Sequence, residues 1–175
     1  KNGFVYDPLN GIDGEIMDIA IKDGKIVEDV NERKAKIIDA SNMIVMPGGI
    51  DIHAHIAGAE VNAGRLLRPE DHRRDFEVKT AITRSGVGYS IPSTFTTGYR
   101  YSRMGYTMIC NPSMPPLEAR HTHEELNDTP MVDKVTYPLL GDWWFVLEYI
   151  RDKRIDECAS HVAWIMKATK GYAIK

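Results

Sequence analysis

From Ile50 onward the chain alternates strand-like and helix-like segments, and no other feature limits its possible folds as much. Residues 50–56, 106–111, 132–140 and 172–175 read as strands, with Pro112 expected to end the second. Residues 76–85, 99–105, 117–126, 143–154 and 155–169 read as helices, with Asp142 as an N-cap and Gly171 just past the last helix. Residues 57–75 read as a long polar loop. Strands joined through helices predict a parallel sheet with helices outside it, an α/β fold. The roughly 125 residues after Pro47 hold about four βα units of some 30 residues each. Four units are half of an eight-stranded barrel, which takes about 250 residues. A five-stranded doubly wound sheet fits nearly the same length, so length alone leaves both open.

Residues 1–47 follow a different rhythm. Residues 16–22 alternate roughly apolar and polar, Asp23-Gly24 follows, and residues 25–27 return. Asp-Gly between apolar runs predicts a hairpin, because a type I′ turn needs positive φ at both central positions. Residues 35–39 and 43–46 read as two more short strands, and Pro47-Gly48-Gly49 breaks the chain direction. The expected domains are therefore 1–47 and 48–175. The first offers too little apolar area to stand alone. It is expected to supply strands of a small sandwich whose other strands come from a C-terminal segment. The chain also stops in a strand-like run, so it is expected to be truncated.

Composition removes several function classes. Lysine and arginine total 22 against 25 acidic residues, a formal net charge of −3, which argues against a nucleic-acid binder. No stretch of 18 apolar residues offers a membrane span, and Lys1-Asn2-Gly3-Phe4-Val5-Tyr6 has no secretory signal character. The two cysteines, Cys110 and Cys158, have no zinc-ribbon spacing, as in a cytoplasmic chain with reduced thiols.

His53 and His55 are the sharpest chemical feature. Residues two apart on a strand face one side, about 6.6 Å apart. Two imidazoles so placed can converge on one metal ion. They sit at the C-terminal end of the first strand of the βα series, where barrel active sites form. Two buried structural histidines are the alternative, but both would need partners inside a core. His72, in the polar loop after that strand, is a further candidate for contact with substrate. Arg65 and Arg68 suit an anionic substrate by bidentate pairing, or equally a solvated or subunit-contacting loop. His121 and His123 repeat the spacing, but on a helix positions two apart do not face each other, so they read as surface. His161 reads as structural, and the aromatic residues Tyr99, Tyr101, Tyr106, Trp143, Trp144 and Trp164 as core.

These residues carry a resemblance. Met46-Pro47-Gly48-Gly49-Ile50-Asp51-Ile52-His53-Ala54-His55 resembles the signature of the amidohydrolase superfamily. The run from Ala57 through Arg65-Leu66-Leu67-Arg68-Pro69-Glu70-Asp71-His72 is similar to the A-subunit family of formylmethanofuran dehydrogenases. So are Ser93-Thr94-Phe95-Thr96-Thr97-Gly98-Tyr99-Arg100-Tyr101 and Cys110-Asn111-Pro112-Ser113-Met114-Pro115-Pro116. The loop motifs are more specific than His-x-His, which many metal-dependent amidases share, stand-alone dihydroorotases and hydantoinases among them.

The resemblance implies the N-terminal part of a metal-dependent amidohydrolase: the first half of a (β/α)8 barrel preceded by strands of a small β-sandwich. It implies two zinc ions held in part by His53 and His55. The implied reaction joins formate to the amine of methanofuran, giving N-formylmethanofuran, or runs the reverse hydrolysis. Partner subunits would carry a tungsten or molybdenum pterin that reduces CO2 to formate, and iron–sulfur clusters that supply electrons, in archaeal methane formation. Many relatives bridge the metals with a carboxylated lysine on the fourth barrel strand. Strand counting and the Gly171-x-x-x-Lys175 segment make Lys175 that residue here. A scaffold protein that keeps the fold without catalysis is the reading from another class.

Overall fold

The computed structural model describes residues 1–73 and 75–175, and the chain divides into two compact units, Lys1–Pro47 and Gly48–Lys175. In the first unit, β1 (Gly3–Asp7) is central, between β2 (Ile12–Met17), antiparallel, and β5 (Ile44–Val45), parallel. A separate hairpin pairs β3 (Ala20–Lys22) with β4 (Lys25–Val27). Its turn has Asp23 at φ 51° and Gly24 at φ 74°, the positive pair the dipeptide predicts. The expected single strand over 16–22 is split between β2 and β3. The strand expected over 35–39 does not form. Asp39 Oδ1 instead accepts from Ser41 N and Oγ at 3.0 and 2.6 Å, and such local side-chain bonds compete with a ladder. Val5, 4% exposed, is the buried apolar side chain of this unit among the described residues, while Leu9, Ile16, Ile26 and Ile38 are exposed.

The second unit is built on a parallel three-stranded sheet in the order β10 (Asp133–Pro138), β9 (Tyr106–Met114), β6 (Gly49–Asp51). Gly49 pairs with Tyr106 and Thr136 with Asn111. β9 runs through Pro112 rather than ending there. β6 reaches only Ile109 in register, and the β10 pairing shifts between Thr136 and Pro138, so the missing N–H falls where the ladder is already irregular. Helices α2 (Thr94–Arg103) and α3 (Ala119–Asp128) cover the sheet on a core of Ala54, Ile56, Ala57, Ile109, Leu126 and Val132. α4 (Trp144–Arg151) and α5 (Ile155–Thr169) pack together on Leu140, Val146 and Ile165.

Further expectations in this unit are corrected. The polar loop contains a helix, α1 (Ala59–Leu67), then a 3-10 turn, Pro69–Arg73. Ala59, Ala63, Leu66 and Leu67 are strong helix formers, and Glu60 and Arg65 suit the dipole at its two ends. The helix expected over 76–85 is instead a hairpin of β7 (Asp75–Glu77) and β8 (Gly86–Val87). Thr80 Oγ1 accepts from Ile82 N and Thr83 N, and Thr83 Oγ1 donates to Val78 O, so the threonines close a turn that a helix would open. Asp142 does not cap α4; Trp143 holds that position without a side-chain cap bond. Lys170, at φ 53°, takes the left-handed position after α5, not Gly171. Gly171 is needed for space: a Cβ there would lie 2.3 Å from Pro138 Cδ.

Residues 172–175 carry no regular strand, yet they lie along β10. Tyr172 N donates to Thr136 O (2.9 Å), Lys175 N to Pro138 O (3.1 Å) and Leu140 N to Lys175 O (2.7 Å). Among the described residues no helix is long and apolar enough to cross a membrane.

Candidate functional site

His53 and His55 lie just past the end of β6, not within it. A bend begins after Asp51, whose Oδ1 accepts from His53 N at 3.1 Å and whose Oδ2 accepts from the Tyr101 hydroxyl at 2.9 Å. Burial first, and the Asp51 bond second, push the Tyr101 phenol up to about 12. Beyond the bend the segment stays on the sheet through Ala54 N to Cys110 O, 3.0 Å. The next residues are pinned by Asn111, which is fully buried: its Oδ1 accepts from Ile56 N (3.1 Å) and Ala57 N (3.4 Å). Its amide donates to Thr136 Oγ1 and Ser113 O. The segment holding both histidines is thus fixed on either side by side chains of α2 and β9.

The two imidazoles stand edge to face with centroids 5.4 Å apart. Lys175 Nζ lies 3.3 Å from His53 Nε2, so residues 122 positions apart meet at one end of the sheet. The backbone bonds of residues 172–175 to β10 bring Lys175 there. On the far side of His55, Glu60 Oε2 is 3.6 Å from Nδ1 and accepts from Ser113 Oγ at 2.7 Å. Glu60 is a functional candidate that the spacing of residues does not reveal. It reaches His55 only because it sits in the first turn of α1, in a stretch whose polar character reads as loop.

Elsewhere the expected residues have other surroundings. Arg65 gives its donors to protein groups: Nε and Nη2 to Pro92 O (3.2 and 3.1 Å), Nη1 to Asn62 Oδ1 (2.8 Å) and Nη2 to Ile56 O (3.4 Å). It also pairs with Glu125 at 3.4 Å, both side chains largely buried. Arg68 is exposed and pairs with Glu70, and His72 is exposed on the Pro69–Arg73 turn. His121 pairs with Glu125 at 2.8 Å one helical turn on, and His123 Nε2 meets Thr169 O at 2.8 Å. His161 accepts from Trp143 Nε1 at 3.3 Å amid Phe145, Tyr149 and Trp164.

The donor set suits a metal in part. Two histidines and a lysine share one end of the sheet, but the described residues contain no group of three or more His, Cys, Asp or Glu side chains arranged to hold a metal ion. A lysine ammonium has donors only, so it becomes a ligand only once converted to a carbamate.

Comparison with known proteins follows the same line. Protein FwdA of Methanocaldococcus jannaschii is 59% identical over the whole chain, which covers 30% of that protein. The A subunit of the formyltransferase/hydrolase complex Fhc of Methylorubrum extorquens is 35% identical over 150 residues, 86% of this chain and 26% of that protein. A chain from the crystal structure of that organism's FhcABCD complex with methylofuran superposes with a TM-score of 0.73 and 29% identity, over 99% of this chain and 31% of that one. The chain therefore spans about a third or less of the relatives it matches, and the resemblance read from Met46–His55 and the loop motifs extends along its whole length. A family model described as the Amidohydrolase family matches residues 36–175, and the chain belongs to that family.

Proposed function

We propose that this chain is part of the A subunit of a formylmethanofuran dehydrogenase, which condenses formate with methanofuran to N-formylmethanofuran and runs the reverse hydrolysis. In this reading residues 48–175 are the first half of a (β/α)8 barrel and residues 1–47 give strands of a small β-sandwich. Exposed Ile50 and Ile52 support an open barrel whose interior later strands fill. The observation that carries the reading is the meeting of Lys175 with His53, beside His55, in a chain 59% identical to protein FwdA.

His53, His55 and a carboxylated Lys175 would hold two zinc ions, the lysine bridging them, with the remaining ligands from elsewhere in the full-length protein. When bound, such a centre would supply a polarised formyl carbonyl and an activated water, the two needs of making or breaking an amide. Asp51, Tyr101 and Asn111 hold the backbone of the histidine segment in place. Arg65 braces the walls near His55 rather than meeting substrate, because its donors are already engaged; Arg68 and His72 remain available to substrate from the exposed turn. The relatives' names speak of a formyltransferase/hydrolase complex and of its structure with methylofuran, which supports partner subunits and a furan substrate. The partners would carry the tungsten or molybdenum pterin and iron–sulfur clusters, in the cytoplasm.

The test is substitution in the full-length protein. His53→Ala with His55→Ala is expected to abolish formyl transfer and lower bound zinc. Lys175→Ala is expected to lose most activity, with partial rescue by short-chain carboxylates that occupy the vacated bridge. Normal zinc and normal transfer in both would favour a scaffold role and overturn the reading.

A further inference from the structure

The second unit holds a small cleft of about 230 Å3 between α3, β10 and the run Lys170–Tyr172. Lys134 and Lys170 both line it, with His123, Asn127, Thr136 and Tyr172, and among the described residues the lining contains no Asp or Glu. The volume is below the roughly 300 Å3 at which drug-sized sites begin, so the cleft suits a small occupant. It lies toward the start of β10, whereas Lys175 is bonded to Pro138 at the end of that strand. We propose that this cleft binds a tetrahedral oxyanion of phosphate size, held between the ammonium groups of Lys134 and Lys170. The site is separate from the histidine pair and does not depend on the amide-forming reading.

Three observations support it. Lys134 is half-buried, and burial lowers its pKa against the opposing pull of Asp133, as for an ammonium short of counter-charge. It donates to Thr129 O at 2.7 Å, which fixes the ammonium and leaves further donors for a ligand. Lys170 closes α5 in the left-handed region at φ 53°, where glycine is favoured. A lysine there carries a backbone cost that glycine would not, and its exposed side chain stands beside the cleft. The walls are also braced in place. His123 Nε2 donates to Thr169 O at 2.8 Å and Tyr172 N to Thr136 O at 2.9 Å, which joins α3, α5 and β10 around the opening. A cleft held this way loses little freedom when a ligand enters. Two ammonium groups with no carboxylate in the lining favour an oxyanion, and a doubly charged one over a carboxylate of single charge.

The experiment titrates inorganic phosphate into the full-length protein by calorimetry at fixed ionic strength, with acetate as the singly charged comparison. Saturable phosphate binding is expected, weakened about tenfold in Lys134→Met and in Lys170→Gly, the scale of one charge-assisted hydrogen bond. Acetate is expected to bind more weakly than phosphate. Lys170→Gly keeps the left-handed turn without strain, so it is expected to hold its melting temperature in phosphate-free buffer, and its loss of phosphate then reports the site rather than the fold. Lys167→Met removes an exposed charge of α5 outside the lining and is expected to leave binding unchanged. Absence of saturable phosphate binding overturns the proposal, as does unchanged affinity in Lys170→Gly, which would place the phosphate elsewhere on the protein. Acetate bound as tightly as phosphate also overturns it. None of these readouts needs turnover.

Discussion

At the scale of single residues, the histidine segment depends on the side chains packed around its backbone. Asn111 is the most exacting. Replacing it with Ala strands the N–H groups of Ile56 and Ala57 inside the core, and is expected to cost about 3 kcal/mol in denaturant unfolding of the full-length protein. A loss under about 1 kcal/mol would mean another group takes up those donors. Tyr101 gives a pH signature. Its phenol is pushed up to about 12 in the folded chain, against the ordinary value of 10.0. Between these values the unfolded chain has released its proton and the folded one has not. The contribution is therefore present below about pH 10 and lost as pH rises from there to about 12. Tyr137, raised to about 12 by its bond to Cys110 and by burial, behaves the same way. Tyr101→Phe is expected to flatten part of the alkaline decline and keep the Tyr137 part; an unchanged profile would contradict this.

Elements are set by a few bonds that local propensity does not contain. The segment 89–91 is ordered by Asp71, eighteen to twenty residues earlier, whose carboxyl is held below its usual range chiefly by the Ile91 N–H, with Ser90 and Tyr89 following. Asp71→Ala is expected to raise hydrogen exchange at Tyr89, Ser90 and Ile91 while leaving β9 protected. In the unaltered protein the same release is expected as pH falls through the lowered pKa of Asp71, beneath the ordinary carboxylate range. Gly171 governs the approach to Lys175. With Pro138 Cδ 2.3 Å from a Cβ there, Gly171→Ala is expected to shift residues 172–175 off β10 and to lower bound zinc in the full-length protein. Full zinc in that variant would separate Lys175 from the metal.

On the scale of the molecule, the 175-residue chain leaves large apolar side chains in water in both units, among them Leu9, Ile16, Ile26, Ile50, Ile52, Trp144 and Trp164. Scattered exposed apolar residues are ordinary, but so many on short strands invite association. The chain by itself is expected to bind a hydrophobic dye and to self-associate in sedimentation. A monodisperse, dye-silent monomer would show that these faces need no cover.

Much of this is legible in the sequence because it is local. The Asp23-Gly24 turn follows from backbone sterics alone, and α5 matches its expected span because fifteen residues of helical pattern outweigh their surroundings. His53 and His55 stand out by their spacing and residue type, but the bend after Asp51, not an extended strand, sets how their rings meet. What the sequence does not decide depends on contacts distant in the chain. The Thr80–Thr83 turn and the Glu77 carboxylate gripped by Arg103 at 2.6 and 2.7 Å defeat the helix expected over 76–85. Arg65, suited by type to an anion, is engaged by Pro92, Asn62 and Glu125. Glu60 reaches His55 only because α1 forms where the sequence reads as loop. Spacing selects residues that neighbour one another along the chain; only tertiary packing decides which donors are left free, and that difference separates a brace from a binding group.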